Sequence, residues 1–344
     1  MKIKDKPQGK EWIDFIELWD KEKKRTAFAK RYGVSVKTIQ NWVAEHKKDE
    51  IQYVAYPNFH ITPFISHGLR DAESMVINLT DHHIARLTES YNLDIHAERL
   101  DTLLHKVMRI VELHSPIKKI YINMLGDMAQ GENVYQGSKV ESVEVGVSRQ
   151  INEFAIPRLS GFAVSLLQVV PEVEIHVVPG NHGRYAKEAP DTTNWDIFIG
   201  HGLSMALDKQ PEIKVVCNGK FYDIVTVEGF RLMIFHGNQV KASQGIPLFA
   251  LKRRCQEWYA SFGDIYQFIC GHWHCLSEDQ VNQKAQVIIC PPLVTGDSWA
   301  LEKVGRATAP MQVVFGMHEK QGRTWTYPLL ADDKFIPKKV SVTI

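Results

Sequence analysis

The chain of 344 residues reads as an α/β protein behind a small all-α head. Three observations predict this. Within residues 1–48, the segment 11–48 carries only helical periodicity. From residue 73 onward, short apolar runs of strand length alternate with helical stretches, the pattern of an α/β body. Five of those runs end in Asp, Asn or His beside small residues, so polar groups gather where strands of an open sheet terminate.

The head comes first. In "EWIDFIELWDKEKKRTAFAKRYGVSVKTIQNWVAEHKK", Trp12, Ile13, Phe15, Ile16 and Trp19 recur at three- and four-residue spacing and make one apolar stripe. "RTAFAKRY" forms a short helix, Gly33 permits a tight turn, and Ser35 caps "VKTIQNWVAEH". Ala29, Val34, Ile39 and Val43 close a small core. Residues 1–50 hold 13 Lys+Arg against 9 Asp+Glu, so the head is basic and the remainder mildly acidic. The run from Ala29 to Trp42 resembles a helix-turn-helix of the form A-x-x-Y-G-V-S-x-x-T-I-x-x-W, as found in transposase- and phage-type DNA-binding heads. The resemblance implies that the second helix enters a major groove with Lys37, Thr38, Gln40 and Asn41 facing DNA. The competing reading is a helical packing module without a nucleic-acid role.

Residues 49–72 contain Pro57 and Pro63 and show no clear period, which predicts a linker lying against the body. The domains expected are therefore 1–48, the linker 49–72, and a body over 73–344. In the body, "MVINL", "KIYINML", "EIHVVP", "RLMIFH", "IYQFIC" and "QVIIC" have strand length and β-branched or aromatic content. "AERLDTLLHKVMRIVELH" places Leu100, Leu103, Leu104, Val107, Val111 and His114 on one helical face. "VEVGVSRQINEFAIPRLSGFAVSLLQVV" is a longer helix bent at Pro157.

Composition narrows the class. With 44% hydrophobic and 24% charged residues, the chain has an ordinary globular balance. Five cysteines with no C-x-x-C pair read as buried thiols in a reducing cytoplasm. "MKIKDKPQGKEW" lacks the apolar core of a signal peptide, and no run of about 18 apolar residues argues for a membrane span.

The chemistry sits after the strands. The runs deliver, in order, Thr80-Asp81-His82-His83, Gly126-Asp127, Gly180-Asn181-His182, His236-Gly237 and Gly271-His272-Trp273-His274. Carboxylate, amide and imidazole donors without thiolate suit Mn²⁺, Fe²⁺ or Zn²⁺; Mn²⁺ is the ion expected, with Fe²⁺, Zn²⁺ or Mg²⁺ as alternatives. So many donors exceed what one ion uses, which points to two ions sharing a carboxylate. Other histidines (His60, His67, His96, His105, His114, His176, His201 and His318) read as surface or hydrogen-bonded groups. Cys270 and Cys275 read as structural thiols, and Trp273 as packing.

The order D-x-H, G-D, G-N-H, H-G, G-H-x-H resembles the calcineurin-like metallophosphoesterases over residues 73–300, nearer the DNA-repair-nuclease branch than the protein phosphatases. The resemblance implies a β-sandwich core flanked by helices. It implies that Asp81, His83 and His274 hold one ion, that Asn181, His236 and His272 hold the other, and that Asp127 bridges. His182 would be the general acid. His82 is then the variable middle residue, dispensable and turned away because an extended chain puts residues i and i+2 on one face. A rival D-H-H reading lacks its D-x-D and glycine-rich motifs. Where the family often has an acid after G-N-H, this chain has Gly183, then Arg184 and Tyr185. Arg184, and secondarily Arg86, are candidates for a phosphate oxygen.

The expected reaction is phosphodiester hydrolysis by a water activated between two metals. Fusion to a DNA-binding head favours a DNA nuclease of phage- or mobile-element character, exo- or endonuclease, because tethering raises local substrate concentration. The alternatives are a small-nucleotide phosphodiesterase or phosphatase whose head serves localisation, and a DNA-binding regulator with a vestigial metal site.

Overall fold

The computed structural model describes residues 18–19, 25–49, 72–132, 142–186, 190, 192–243, 246–296 and 308–336. The stripe expected at Trp12, Ile13, Phe15 and Ile16 and residues 50–71 of the expected linker lie outside these. By its contacts the chain divides into two compact units, Met1–Ala55 and Tyr56–Ile344.

In the first unit, α1 (Arg25–Tyr32) and α2 (Val36–Asp49) are joined by a turn in which Gly33 takes φ +73. A left-handed residue there costs glycine nothing sterically. The backbone N–H of Val34 reaches the Ala29 carbonyl at 3.1 Å and closes the first helix. The Ser35 hydroxyl accepts from the backbone N–H of Thr38 at 3.0 Å, satisfying one of the open donors at the start of α2. Trp19, Phe28, Ala29, Ile39 and Val43 are buried together, with Trp19 edge-on to Phe28.

The second unit is built on two sheets. The first runs β11 (Gly322–Leu330), β10 (Met311–His318), β1 (Glu73–Leu79), β2 (Ile117–Met124), β3 (Val173–Val177), β4 (Ile213–Cys217). The strands from β1 to β4 are mutually parallel, and β10 lies antiparallel to β1. The second sheet runs β5 (Tyr222–Val227), β6 (Phe230–Phe235), β7 (Gln267–Cys270), β9 (Gln286–Ile289), β8 (Ser277–Gln280). Side chains alternate between two cores with the period of a strand. Met75, Ile77 and Leu79 face the helices α3 (Leu93–His114), α4 (Ile156–Leu166) and α5 (Trp195–Ala206), whereas Val76 faces the other sheet. Leu232 and Ile234 meet it there, while Met233 and Phe235 face outward against α6 (Pro247–Phe262). The architecture is thus a pair of stacked sheets with helices on both outer faces, as the α/β expectation requires. Both faces of the inner strands are buried, which explains their nearly continuous apolar runs.

The long helix expected around Pro157 is a composite. A turn at Val147–Arg149 passes into a π-helical stretch, Gln150–Ala155, and only then into α4, where Pro157 occupies the first turn. Proline lacks an N–H and is accommodated where the preceding turn widens. That widened turn turns the buried Gln150 side chain toward the Gly131 backbone N–H at 2.9 Å, fixing the end of the loop that carries Asp127.

Candidate metal centre

Each ligand candidate stands just beyond a strand. Asp81 and His83 follow β1, Asp127 follows β2, Asn181 and His182 follow β3, His236 follows β6, and His272 and His274 follow β7. The backbone is unusual there. Asp81, His83, Asp127, His272 and His274 have φ between 46 and 67. Non-glycine residues seldom adopt this left-handed conformation, and each instance stores on the order of 1–3 kcal/mol. Its concentration on five candidate ligands marks a site whose surroundings hold it in place.

One expectation is corrected at this point. The chain is not extended through Asp81–His83: β1 ends at Leu79, and both residues are left-handed. They converge because the backbone coils at the strand end, not because of strand alternation. His82 does turn away, into complete burial, with Nδ1 3.2 Å from Nε2 of His96. Arg158 donates to Nδ1 of His96 at 3.0 Å, which leaves the His96 proton on Nε2, directed at His82. Burial pushes His82 down to about 3 and His96 well below the usual imidazole range. His82 is therefore a neutral core group that faces away from the candidate ligands, and His96 belongs to that core too.

In each of three overlapping sets the donor atoms lie within 4.8 Å of one another: Asp81, His83 and His274; His83, Asp127 and His182; Asp127, His236 and His272. Asp127 and His83 each belong to two sets. Asp81 Oδ2 accepts from the Thr80 hydroxyl at 2.7 Å and the His272 backbone N–H at 2.8 Å. Its Oδ1 is fully buried with no hydrogen-bond donor, 3.3 Å from His274 Nε2 and 3.7 Å from His83 Nε2. An orphaned carboxylate oxygen facing two imidazoles is what a cation would satisfy. Asn181 Oδ1 and Asp127 Oδ2 both lie 3.0 Å from Nε2 of His236, which joins Asn181 to the third set. The residues therefore fit a pair of divalent ions on chemical grounds: hard oxygens and imidazoles, convergent and buried.

Supporting groups fix each ring. His236 Nδ1 donates to the Leu125 carbonyl at 2.8 Å, leaving Nε2 for the site. Gln130 serves two histidines: its Oε1 lies 3.0 Å from His83 Nδ1, and its carbonyl 3.3 Å from His182 Nδ1. Burial opposes charge on Asp81 and Asp127, yet His274 beside the first and His236 beside the second outweigh it, holding both below the usual carboxylate range. Burial likewise opposes charge on His236, but Asp127 raises it to about 9. His182 and His272 are pushed down to about 3 by burial.

Sequence reasoning missed Gln130 and Asp196. Gln130 is a lone polar residue between Ala129 and Gly131, a weak signal. Asp196 stands 14 residues past His182 and reads as an ordinary acid in the first turn of a helix. It is fully buried, and its carboxylate accepts from the backbone N–H groups of Asp127, Met128 and Gly180. Burial and then the charge of Asp127 push it up to about 6. Gly183, where the family pattern often has an acid, packs so tightly against the Asn194 side chain that no Cβ fits. Arg184 is half-buried and backbone-paired to Asn194, and Arg86 is half-buried and backbone-paired to Val143. On α2, Lys37, Gln40 and Asn41 are exposed, and the Thr38 hydroxyl is engaged with Ser35 at 2.7 Å. The described cysteines are free thiols, with Cys270 buried and Cys275 half-buried.

No family model matches the chain, and no curated protein matches it. Among solved structures it is similar to Vacuolar Protein Sorting 29 from Cryptosporidium parvum, at 14% identity over 72% of this chain and 87% of that one, TM-score 0.34. It is also similar to a dimetal phosphatase from Danio rerio, at 10% identity over 76% of this chain and 100% of that one, TM-score 0.37. A 5'-nucleotidase from Candida albicans gives 12% identity over 66% of this chain and 47% of that one, TM-score 0.32. Among the described residues no helix is long and apolar enough to cross a membrane.

Proposed function

We propose that the chain is a dimetal phosphoesterase that hydrolyses phosphodiester bonds, with DNA as its substrate. The observation that carries the reading is the set of three overlapping donor clusters sharing Asp127 and His83 at the ends of parallel strands. Two divalent ions, Mn²⁺ foremost, would supply an activated water and neutralise charge on the phosphoryl oxygens. Asp81, His83 and His274 would hold one, and Asn181, His236 and His272 the other, with Asp127 shared.

His182 has the position for proton transfer to the leaving oxygen. Its Nδ1 donates to the Gln130 carbonyl, so Nε2 is the nitrogen that would hand over a proton. Burial favours its neutral form, and an anionic phosphate alongside raises the proton affinity of a buried imidazole. DNA as the substrate rests on the basic helical head and on the exposed Lys37, Gln40 and Asn41 of α2. Arg184 and Arg86 are proposed as phosphate contacts.

The test is incubation of the full chain with labelled linear, circular and single-stranded DNA in Mn²⁺, with bis(p-nitrophenyl) phosphate alongside and chelator controls. Metal-dependent cleavage of both DNA and dye is expected. Dye hydrolysis without DNA cleavage would move the reading to a small-nucleotide phosphodiesterase. Inertness toward all substrates in Mn²⁺, Fe²⁺, Zn²⁺ and Mg²⁺ would overturn it.

A further inference from the structure

We infer that Asp196 is a positioning residue for the metal centre: its carboxylate clamps together the two loops that carry Asp127 and Asn181. The inference rests on the dimetal reading above only in naming what the loops hold. Oδ2 of Asp196 accepts from the backbone N–H of Asp127 at 3.0 Å and of Gly180 at 2.8 Å, and Oδ1 from that of Met128 at 2.9 Å. One side chain thus ties the loop after β2 to the loop after β3.

The loops meet as closely as glycine allows. A Cβ on Gly126 would strike the Gly180 backbone, and one on Gly180 would strike the Asp127 carboxylate. Gly126 and Asp127 both have positive φ, at 87 and 54, so the successive N–H groups of Asp127 and Met128 turn toward one point. Such a backbone nest is an anion site, and Asp196 is its anion.

The carboxylate is itself fixed. Asn194 caps α5 by accepting from the Asp196 backbone N–H at 2.9 Å, and its Nδ2 donates to the Gly180 carbonyl at 2.8 Å. The Trp195 backbone N–H donates to the Gly183 carbonyl at 2.7 Å. The start of α5 therefore grips the Gly180–Gly183 loop at both ends, while Asp196 reaches across to Asp127. His182 joins the same lock through its backbone N–H, which donates to Asp127 Oδ1 at 2.7 Å.

Asparagine at this position keeps the shape and loses the function. Three N–H donors meet two oxygens, and an amide supplies one oxygen and one NH₂. Whichever way it turns, its NH₂ faces a backbone N–H, either that of Met128 or those of Asp127 and Gly180. Asp127 and Asn181 then lose their fixed separation.

The test compares the full chain with its Asp196→Asn and Asn194→Ala variants by calorimetric titration with Mn²⁺, thermal melting without metal, and hydrolysis of bis(p-nitrophenyl) phosphate. Partners behind metal ligands typically change affinity or activity by about 10–100-fold. Asp196→Asn is expected to weaken both metal-binding events by at least about tenfold, and to lower kcat in that range with KM within about twofold. Asn194→Ala should move the same quantities the same way by less. Lowered melting temperature with unchanged metal affinity per folded chain and unchanged kcat would make Asp196 merely structural and overturn the inference.

If Asp196→Asn does not fold, amide hydrogen exchange on the metal-free wild-type chain decides. The amides of Asp127, Met128 and Gly180 should be strongly protected, and exchange at the rate of an exposed loop would sink the clamp. A wild-type chain that binds two ions but hydrolyses nothing would overturn the phosphoesterase reading and leave the clamp standing on its titration.

Discussion

Asp127 and His83 are the residues on which the site turns, because each is shared between two donor clusters. In the proposed dimetal assignment, removing Asp127 would disturb two ions, whereas removing His83, Asp81 or His272 would disturb one. Reconstituted full chain is expected to hold about two Mn²⁺ by elemental analysis, and Asp127→Asn to weaken both sites. A wild-type stoichiometry fixed at one, with His236 and His272 insensitive to metal, would contradict the shared arrangement. His82 and His83 separate the two kinds of burial found here. His83→Ala is expected to lose an ion and several orders of magnitude in rate. His82→Ala should keep its metal stoichiometry but melt lower, by about 1–3 kcal/mol of stability, since it empties a buried position and leaves His96 without its acceptor. Equal metal loss in both variants would return the D-H-H reading.

At the scale of elements, β2, β3 and β4 are stitched by charge as well as by their backbone ladder. Glu174 on β3 sits across from Lys214 on β4 and accepts from it at 2.9 Å, and Lys119 on β2 reaches it at 2.7 Å. His176, on the same face of β3, lies 3.0 Å from Glu174 and 2.8 Å from Asp223 on β5, which joins the first sheet to the second. Burial works against charge on Glu174, but Lys119 and Lys214 hold it down at about 2, against an ordinary 4.5. A depressed carboxyl contributes stability that is full above about 4.5 and lost as pH falls through about 2. Glu174→Gln is therefore expected to lower stability at pH 7 by about 1–2 kcal/mol after solvent screening, with the gap to wild type closing by about pH 2. Urea midpoints across that range check it, and a gap constant down to pH 2 would show that packing rather than charge is lost.

The strands that precede the ligand motifs were legible because β1, β2, β3, β6 and β7 end in runs that are buried on both faces. Two of the missed strands, β8 and β11, carry weaker signals. "SEDQ" in β8 is a polar edge alternating between exposed and half-buried, and β11 contains Pro328, which an edge strand tolerates but a sequence reader takes as a break. Ligand identities were legible because strand ends concentrate them. Asp196 and Gln130 were not, because their partners are backbone groups and ring nitrogens distant in sequence, and a helix-start acid or a loop amide has many ordinary explanations.

For the whole molecule, the two compact units divide the proposed work. The first carries a basic balance and a capped second helix with Lys37, Gln40 and Asn41 exposed, while every candidate metal ligand lies beyond residue 80. If the head binds DNA, its contribution is largely phosphate neutralisation, and the affinity of the intact chain should fall steeply with salt. Replacing Lys37, Gln40 and Asn41 together by Ala in the full chain is then expected to raise the DNA concentration for half-maximal cleavage by about tenfold or more, since base and phosphate contacts contribute roughly 1–3 kcal/mol each. The salt slope of DNA binding should flatten by about one unit for the lost lysine contact. Hydrolysis of bis(p-nitrophenyl) phosphate should not change, because the dye needs no head and the metal ligands are untouched. A variant that cleaves DNA at wild-type concentrations with an unaltered salt slope would make the first unit a packing or partner-binding module. The case for DNA would then rest on the metal centre alone, which any phosphodiester could enter.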